Sequence, residues 1–125
     1  MSQEKYTTQI YNLGDAINKS VNKDKVIIIR STLPQHFSGQ QKYIDGYYVE
    51  KMPKIKCING PINLEHWSNP IMKEMCEKYG FRYLNSAPLY GNRSDLHFVA
   101  GECTHYCYHS QIVIPEMALL NQLLQ

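Results

Sequence analysis

The sequence predicts an α/β domain with a mostly parallel sheet, and two observations predict it. An amphipathic helical pattern followed by an apolar strand pattern occurs twice, at residues 6–30 and again at 69–87. The first of those strands is a run of aliphatic, β-branched residues with no polar alternation. A chain of 125 residues, 43% of them hydrophobic, lies in the size range of one domain and can fill one core. No internal repeat, low-complexity tract or linker divides it, so residues 1–125 read as a single domain.

Each element follows from its residues. Tyr6, Ile10, Leu13, Ile17 and Val21 step by three and four, which places them on one stripe of a helix. "NKDK" ends that pattern, and "VIIIR", residues 26–30, has the composition of a central strand buried on both faces. The turn-rich "STLPQHFSGQ" comes next, setting Ser31, Thr32, His36 and Ser38 just past the strand's carboxyl end, where open α/β sheets bind ligands. Ser31 and His36 are therefore candidate pocket residues, although capping of the following turn would account for them equally well. Residues 42–69 have no clean period and read as a long excursion with one short strand at "YYV", which Cys57 could tie down. "NPIMKEMCEKYG" predicts a helix with Pro70 in its first turn, Ile71, Met75 and Tyr79 on one face, and Gly80 as its stop. "FRYLNSA" is the second strand. "PEMALLNQLLQ" opens with Pro115 and carries Met117, Leu120 and Leu124 at helical spacing, predicting a closing helix that packs back on the sheet.

Composition excludes some functions. Charged residues make up 19% of the chain, the net charge is +2, and no Lys/Arg run exceeds two, so the electrostatic footprint of a nucleic-acid binder is missing. No apolar run approaches the roughly 20 residues needed to cross a bilayer, so any membrane anchor or targeting segment is expected outside this chain. Ten tyrosines against three phenylalanines suit a wet, carbohydrate-facing surface, because a phenol offers a ring face and a hydroxyl. The sequons Asn18-Lys19-Ser20 and Asn92-Arg93-Ser94 and the even count of four cysteines lean toward the secretory pathway.

The densest chemistry lies in "GECTHYCYHS", where Cys103, His105, Cys107 and His109 alternate. On a strand these side chains would be spaced by about 6.6 Å each, whereas zinc holds its ligands at about 2.0–2.3 Å. On a helix the cysteine pair and the histidine pair would point about 160° apart. Neither geometry closes a zinc site, and no metal or other cofactor is expected. The alternative is that cysteines brace the segment while His105 does chemistry. Glu102, three residues earlier, is placed to hold the imidazole Nδ1–H and leave Nε2 as a general base. Four cysteines allow three pairings; Cys76, beside Met75 on a helix face, reads as a buried free thiol.

The stretch "NRSDLHFVAGECTHYCYHSQIVIPEMALLNQLL" resembles the C-terminal signature of the PC-esterase family. That family is a branch of the SGNH/GDSL hydrolases which includes the trichome-birefringence-like polysaccharide O-acetyltransferases. The resemblance rests on Arg93, Asp95 and His97, then Cys103, His105 and Cys107, then Pro115 and "LLNQLL"; upstream, Arg30, Thr32, Pro34, His36 and Phe37 extend it. The resemblance implies a three-layer α/β/α sandwich, His105 as the base of a Ser-His-Asp/Glu triad with Glu102 as its acid, and a disulfide joining Cys57 to Cys103 or Cys107. It also implies pocket roles for His36 and for Arg93, Asp95 and His97, with a solvated polar turn the alternative for the last three; Ser31 remains a pocket candidate by its place after the strand. The family's serine stands in an upstream Gly-Asp-Ser motif, and the only "GD" here, Gly14-Asp15-Ala16, lacks it. The expectation is therefore the C-terminal portion of an esterase or O-acyl(acetyl)transferase acting on an acylated glycan in the Golgi lumen or outside the cell. Such a portion, alone, is expected to expose a sheet edge and to be poorly soluble. Two alternatives remain: a non-catalytic glycan- or partner-binding remnant, and a Cys/His metal-binding module.

Overall fold

A computed structural model describes residues 1–36, 57, 66–97, 103, 105, 106 and 110–125. Two helix-then-strand units form its centre. Helix α1 spans Gln3–Ser20, strand β1 Ile28–Arg30, helix α2 Ser68–Tyr79 and strand β2 Arg82–Leu84. A short helix α3, Ala87–Tyr90, a 3₁₀ turn at Ser94–Leu96 and the long helix α4, Ser110–Leu124, complete the described chain. The strands pair in parallel, with Ile28, Ile29 and Arg30 opposite Arg82, Tyr83 and Leu84. The expected order and strand direction are both present, and the coarse description α/β holds for a small two-stranded sheet among the described residues. The proposed strand at "YYV" lies outside those residues.

Helix α1 starts where Ser2 accepts a hydrogen bond from Lys5 N at 3.2 Å, leaving the first turn with its donors partly satisfied and Glu4 at the positive end. Its stripe is turned slightly from the expected one. Tyr6, Ile10, Ile17 and Val21 are half-buried as anticipated, but Leu13 is 50% exposed and Gly14 is buried in its place. The reason is close approach to α2. A Cβ on Gly14 would lie 2.7 Å from Met75 Sδ and 2.7 Å from Tyr79 Cε2, so the missing side chain is what lets the two helices meet.

Helix α2 has the predicted face: Ile71, Met75 and Cys76 are buried and Tyr79 half-buried. It stops at Gly80, which takes the left-handed conformation (φ 72°, ψ 22°) that favours glycine, and both Gly80 N and Phe81 N donate to Cys76 O. Cys76 is the free, buried thiol foreseen, and burial pushes its pKa up.

Two expectations need correction. Strand β1 is not buried on both faces: Ile28 and Ile29 are half-buried, Arg30 is exposed and Val26 is 47% exposed. Among the described residues β2 is its one strand partner, so β1 stands there as an edge strand and not as the central one expected. Helix α4 begins at Ser110, five residues before Pro115, which lies inside it. A proline there removes one helical hydrogen bond, the one to Gln111 O. Burial of Ile112 against Tyr90 and Leu96 holds the preceding turn in place despite that loss. α4 packs on β2 and α3, and Arg82 donates a hydrogen bond to Leu123 O near its end. On α4, Ile114, Met117 and Leu124 are all more than half exposed.

Candidate functional site

The carboxyl ends of β1 and β2 open on a cavity of about 500 Å³, within the range of small-molecule sites. One side is apolar: Leu33 beyond β1, Leu84 at the end of β2, and Val113, Met117 and Leu120 on α4. The other side is polar, formed by Arg30, Tyr90, Glu116, His105 and Tyr106.

A single carboxylate organises the polar side. Glu116 Oε1 accepts from Arg30 Nε at 2.5 Å and from Ser86 Oγ at 2.7 Å, while its Oε2 accepts from Tyr90 Oη at 2.6 Å. Burial alone would raise the Glu116 pKa, but the hydrogen bonds from Tyr90, Arg30 and Ser86 outweigh it and hold the carboxyl below its ordinary value. The Tyr90 phenol moves the other way, pushed up to about 12 by burial and by its bond to that carboxylate. At neutral pH the wall therefore presents a neutral phenol and a guanidinium whose charge is compensated by Glu116.

The segment carrying His105 is fixed from several sides. Cys103 forms a disulfide with Cys57 (Cα–Cα 5.4 Å), and Cys103 O accepts from His36 N at 3.0 Å. His97 Nδ1 donates to His105 O at 2.7 Å, and Tyr106 pairs with His97 in an antiparallel bridge and donates to Pro34 O. Behind this bridge His36, 1% exposed, donates from Nε2 to Gly91 O at 2.8 Å, and its Nδ1 meets His97 Nε2 at 2.7 Å. Carbonyls only accept, so His36 Nε2 and His97 Nδ1 each carry a hydrogen, and a hydrogen bond between the two facing nitrogens requires one further proton shared by the pair. His105 itself is exposed and lines the cavity.

The predicted residues are thus distributed over distinct places. His105 lines the cavity; His97 holds its backbone carbonyl from behind, and His36 contacts the His97 ring and donates from its backbone N to Cys103 O. Ser31, 4% exposed, accepts from Ser86 N and Ala87 N, both at 3.0 Å, and so ties the end of β1 to the start of α3. Arg93 and Asp95 form a bidentate pair with both N–O distances 2.9 Å in an exposed turn. Glu102, Cys107 and His109 lie outside the described residues. The disulfide predicted from the resemblance uses Cys103, which removes one of the four alternating Cys/His side chains from any metal set.

Comparison with known protein families, curated proteins and solved structures returns no match to this chain. Among the described residues no helix is long and apolar enough to cross a membrane.

Sequence reasoning assigned no role to Glu116 and Tyr90. One signal was available for Glu116: it lies three residues after Val113 and four before Leu120, so a helix begun at Ser110 sets a carboxylate on its apolar stripe. Opening that helix at Pro115 hid the pattern.

A second polar cluster joins β1 to α2. Asn69 Oδ1 accepts from Thr32 N at 2.8 Å, and Asn69 Nδ2 donates to Thr32 O at 3.0 Å. His66 Nδ1 accepts from Ser68 N at 3.3 Å and lies 2.6 Å from Ser68 Oγ, so the hydroxyl donates to it too. Ser68 is 2% exposed, and these bonds fix the entry to α2 where a side-chain cap is otherwise lacking.

Proposed function

We propose that the chain is the C-terminal, base-bearing portion of an SGNH-type esterase or O-acyltransferase acting on an acylated glycan, with its substrate in the cavity at the strand ends. The observation that carries this reading is the presence of His105 on the wall of that cavity, on a segment held by a disulfide and by the His97 and Tyr106 contacts. In this reading His105 Nε2 takes the proton of a serine hydroxyl supplied from outside residues 1–125 as that oxygen attacks the acyl carbon. Glu102 orients the ring through Nδ1–H. His105 then returns the proton to the departing alcohol, and water or an acceptor hydroxyl resolves the acyl-serine. A three-layer α/β/α sandwich, of which β1 and β2 are part, and a secretory location consistent with the disulfide belong to the same proposal.

The test is hydrolysis of p-nitrophenyl acetate by the longest natively expressed form of the protein. Replacement His105→Ala is expected to lower kcat by at least about 100-fold; an unchanged rate would remove His105 from the chemistry. A second reading, a non-catalytic binding remnant, draws on one observation: no serine, threonine or cysteine is among the described residues lining the cavity. It predicts retention of a ligand with no turnover in any length of the protein.

A further inference from the structure

We infer that the cavity at the strand ends holds the hydrocarbon chain of an uncharged acyl group longer than acetyl. This rests on the cavity being the substrate site, but not on any catalysis there. Two features carry it. An acetyl group has one methyl to bury, whereas Leu33, Leu84, Val113, Met117 and Leu120 form a continuous apolar side to a space of about 500 Å³, far more than one methyl can fill. The second feature is charge. Arg30 is the cation on the polar side, and its Nε is already bound by Glu116 at 2.5 Å, with Glu116 held ionised by three donors. A carboxylate entering the cavity would gain little from a compensated guanidinium and would face the Glu116 charge. A neutral acyl carbonyl needs one donor, and Arg30 Nη1 makes no hydrogen bond among the described residues. The same compensation sets the orientation, with the carbonyl toward Arg30 and His105 and the chain along α4.

The occupant is therefore the acyl portion of an ester or thioester. Stable amides of the same chains are suitable probes, because they keep the carbonyl and cannot be turned over as esters are. Binding of acetamide, butyramide and octanamide to the full chain with its disulfide intact is followed by amide chemical shifts. Each buried methylene is worth about fourfold in affinity, so octanamide is expected to bind at least about 30-fold more tightly than butyramide, allowing for an open mouth. Sodium octanoate is expected to bind no more tightly than octanamide. Met117 is 55% exposed at the rim, so Met117→Glu leaves the core untouched and is expected to abolish the length preference. Leu120→Trp, which fills the interior, gives a second readout of the same kind.

Equal affinity for all three amides, or a length preference that survives Met117→Glu with the shifts located elsewhere, overturns the inference. Octanoate binding more than about tenfold tighter than octanamide overturns its charge argument. The failure of the catalytic proposal looks different: octanamide binds as described while His105→Ala leaves ester hydrolysis unaltered.

Discussion

Gly14 offers a direct test of the packing between α1 and α2, because two contributions with opposite signs meet there. Helix propensity favours replacement: Ala in a helix interior is better than Gly by about 1 kcal/mol, with Val between them. Packing opposes it. A Cβ at position 14 would sit 2.7 Å from both Met75 Sδ and Tyr79 Cε2, and Met75 is 0% exposed, so its thioether is enclosed by protein and can give way only by repacking the core. Overpacking of this kind costs about 1–3 kcal/mol for one added carbon and more for three. The expected net effects are a loss of about 1 kcal/mol for Gly14→Ala and about 3 kcal/mol for Gly14→Val. At roughly 4 °C per kcal/mol for a domain of this size, those losses lower Tm by about 4 and 12 °C. Urea denaturation followed by circular dichroism measures the first quantity and a thermal scan the second. Propensity alone ranks the stabilities Ala above Val above Gly, whereas contact ranks them Gly above Ala above Val. A Gly14→Ala protein more stable than the parent would show that the helices do not approach as described.

Two further outcomes follow from the polar contacts. Burial holds the His66 imidazole below its ordinary pKa, and its Nδ1 accepts from Ser68 only when that nitrogen is unprotonated. The unfolded chain therefore binds the proton more readily. This contribution is complete above the unfolded value of about 6.5 and is lost as pH falls through the folded value. Urea midpoints are expected to drop between pH 7.5 and 5, and His66→Asn, which keeps an acceptor but does not titrate, is expected to flatten that slope. The Cys57–Cys103 bridge spans a sequence separation of 46, so by chain entropy Cys57→Ser with Cys103→Ser is expected to lose about 4 kcal/mol. A loss under about 1 kcal/mol in urea would mean that the hydrogen bonds of His36, His97 and Tyr106 hold the segment without it.

The parts of the fold legible in the sequence are those decided by local periodicity. The α1 and α2 stripes, the Gly80 stop and the parallel strands needed nothing beyond residue spacing. Gly14 was different: its role depends on what the neighbouring helix presents, and in the sequence it stood out solely as half of a "GD" dipeptide. The start of α4 was obscured because Pro115 is a good first-turn residue, whereas burial of Ile112 is decided by Tyr90 and Leu96. Of the residues that line the cavity, His105 is the one singled out by its neighbours in sequence. The carboxylate that shapes its cavity is 11 positions away on another element, bonded to donors 86, 30 and 26 residues distant, and no local pattern reports such a convergence.

The cavity draws three of its five apolar residues and its organising carboxylate from α4, the last described helix, and the remainder from β1, β2 and the segments that follow them. Order of synthesis therefore matters. The two helix–strand units are complete once Leu84 has left the ribosome, and α1 can dock on α2 at that stage. The site cannot exist until Glu116 and Leu120 have also emerged. Until then Arg30 lacks its counter-ion and the strand ends lack the wall that α4 supplies, so a chain stalled or cleaved before α4 has no binding chamber.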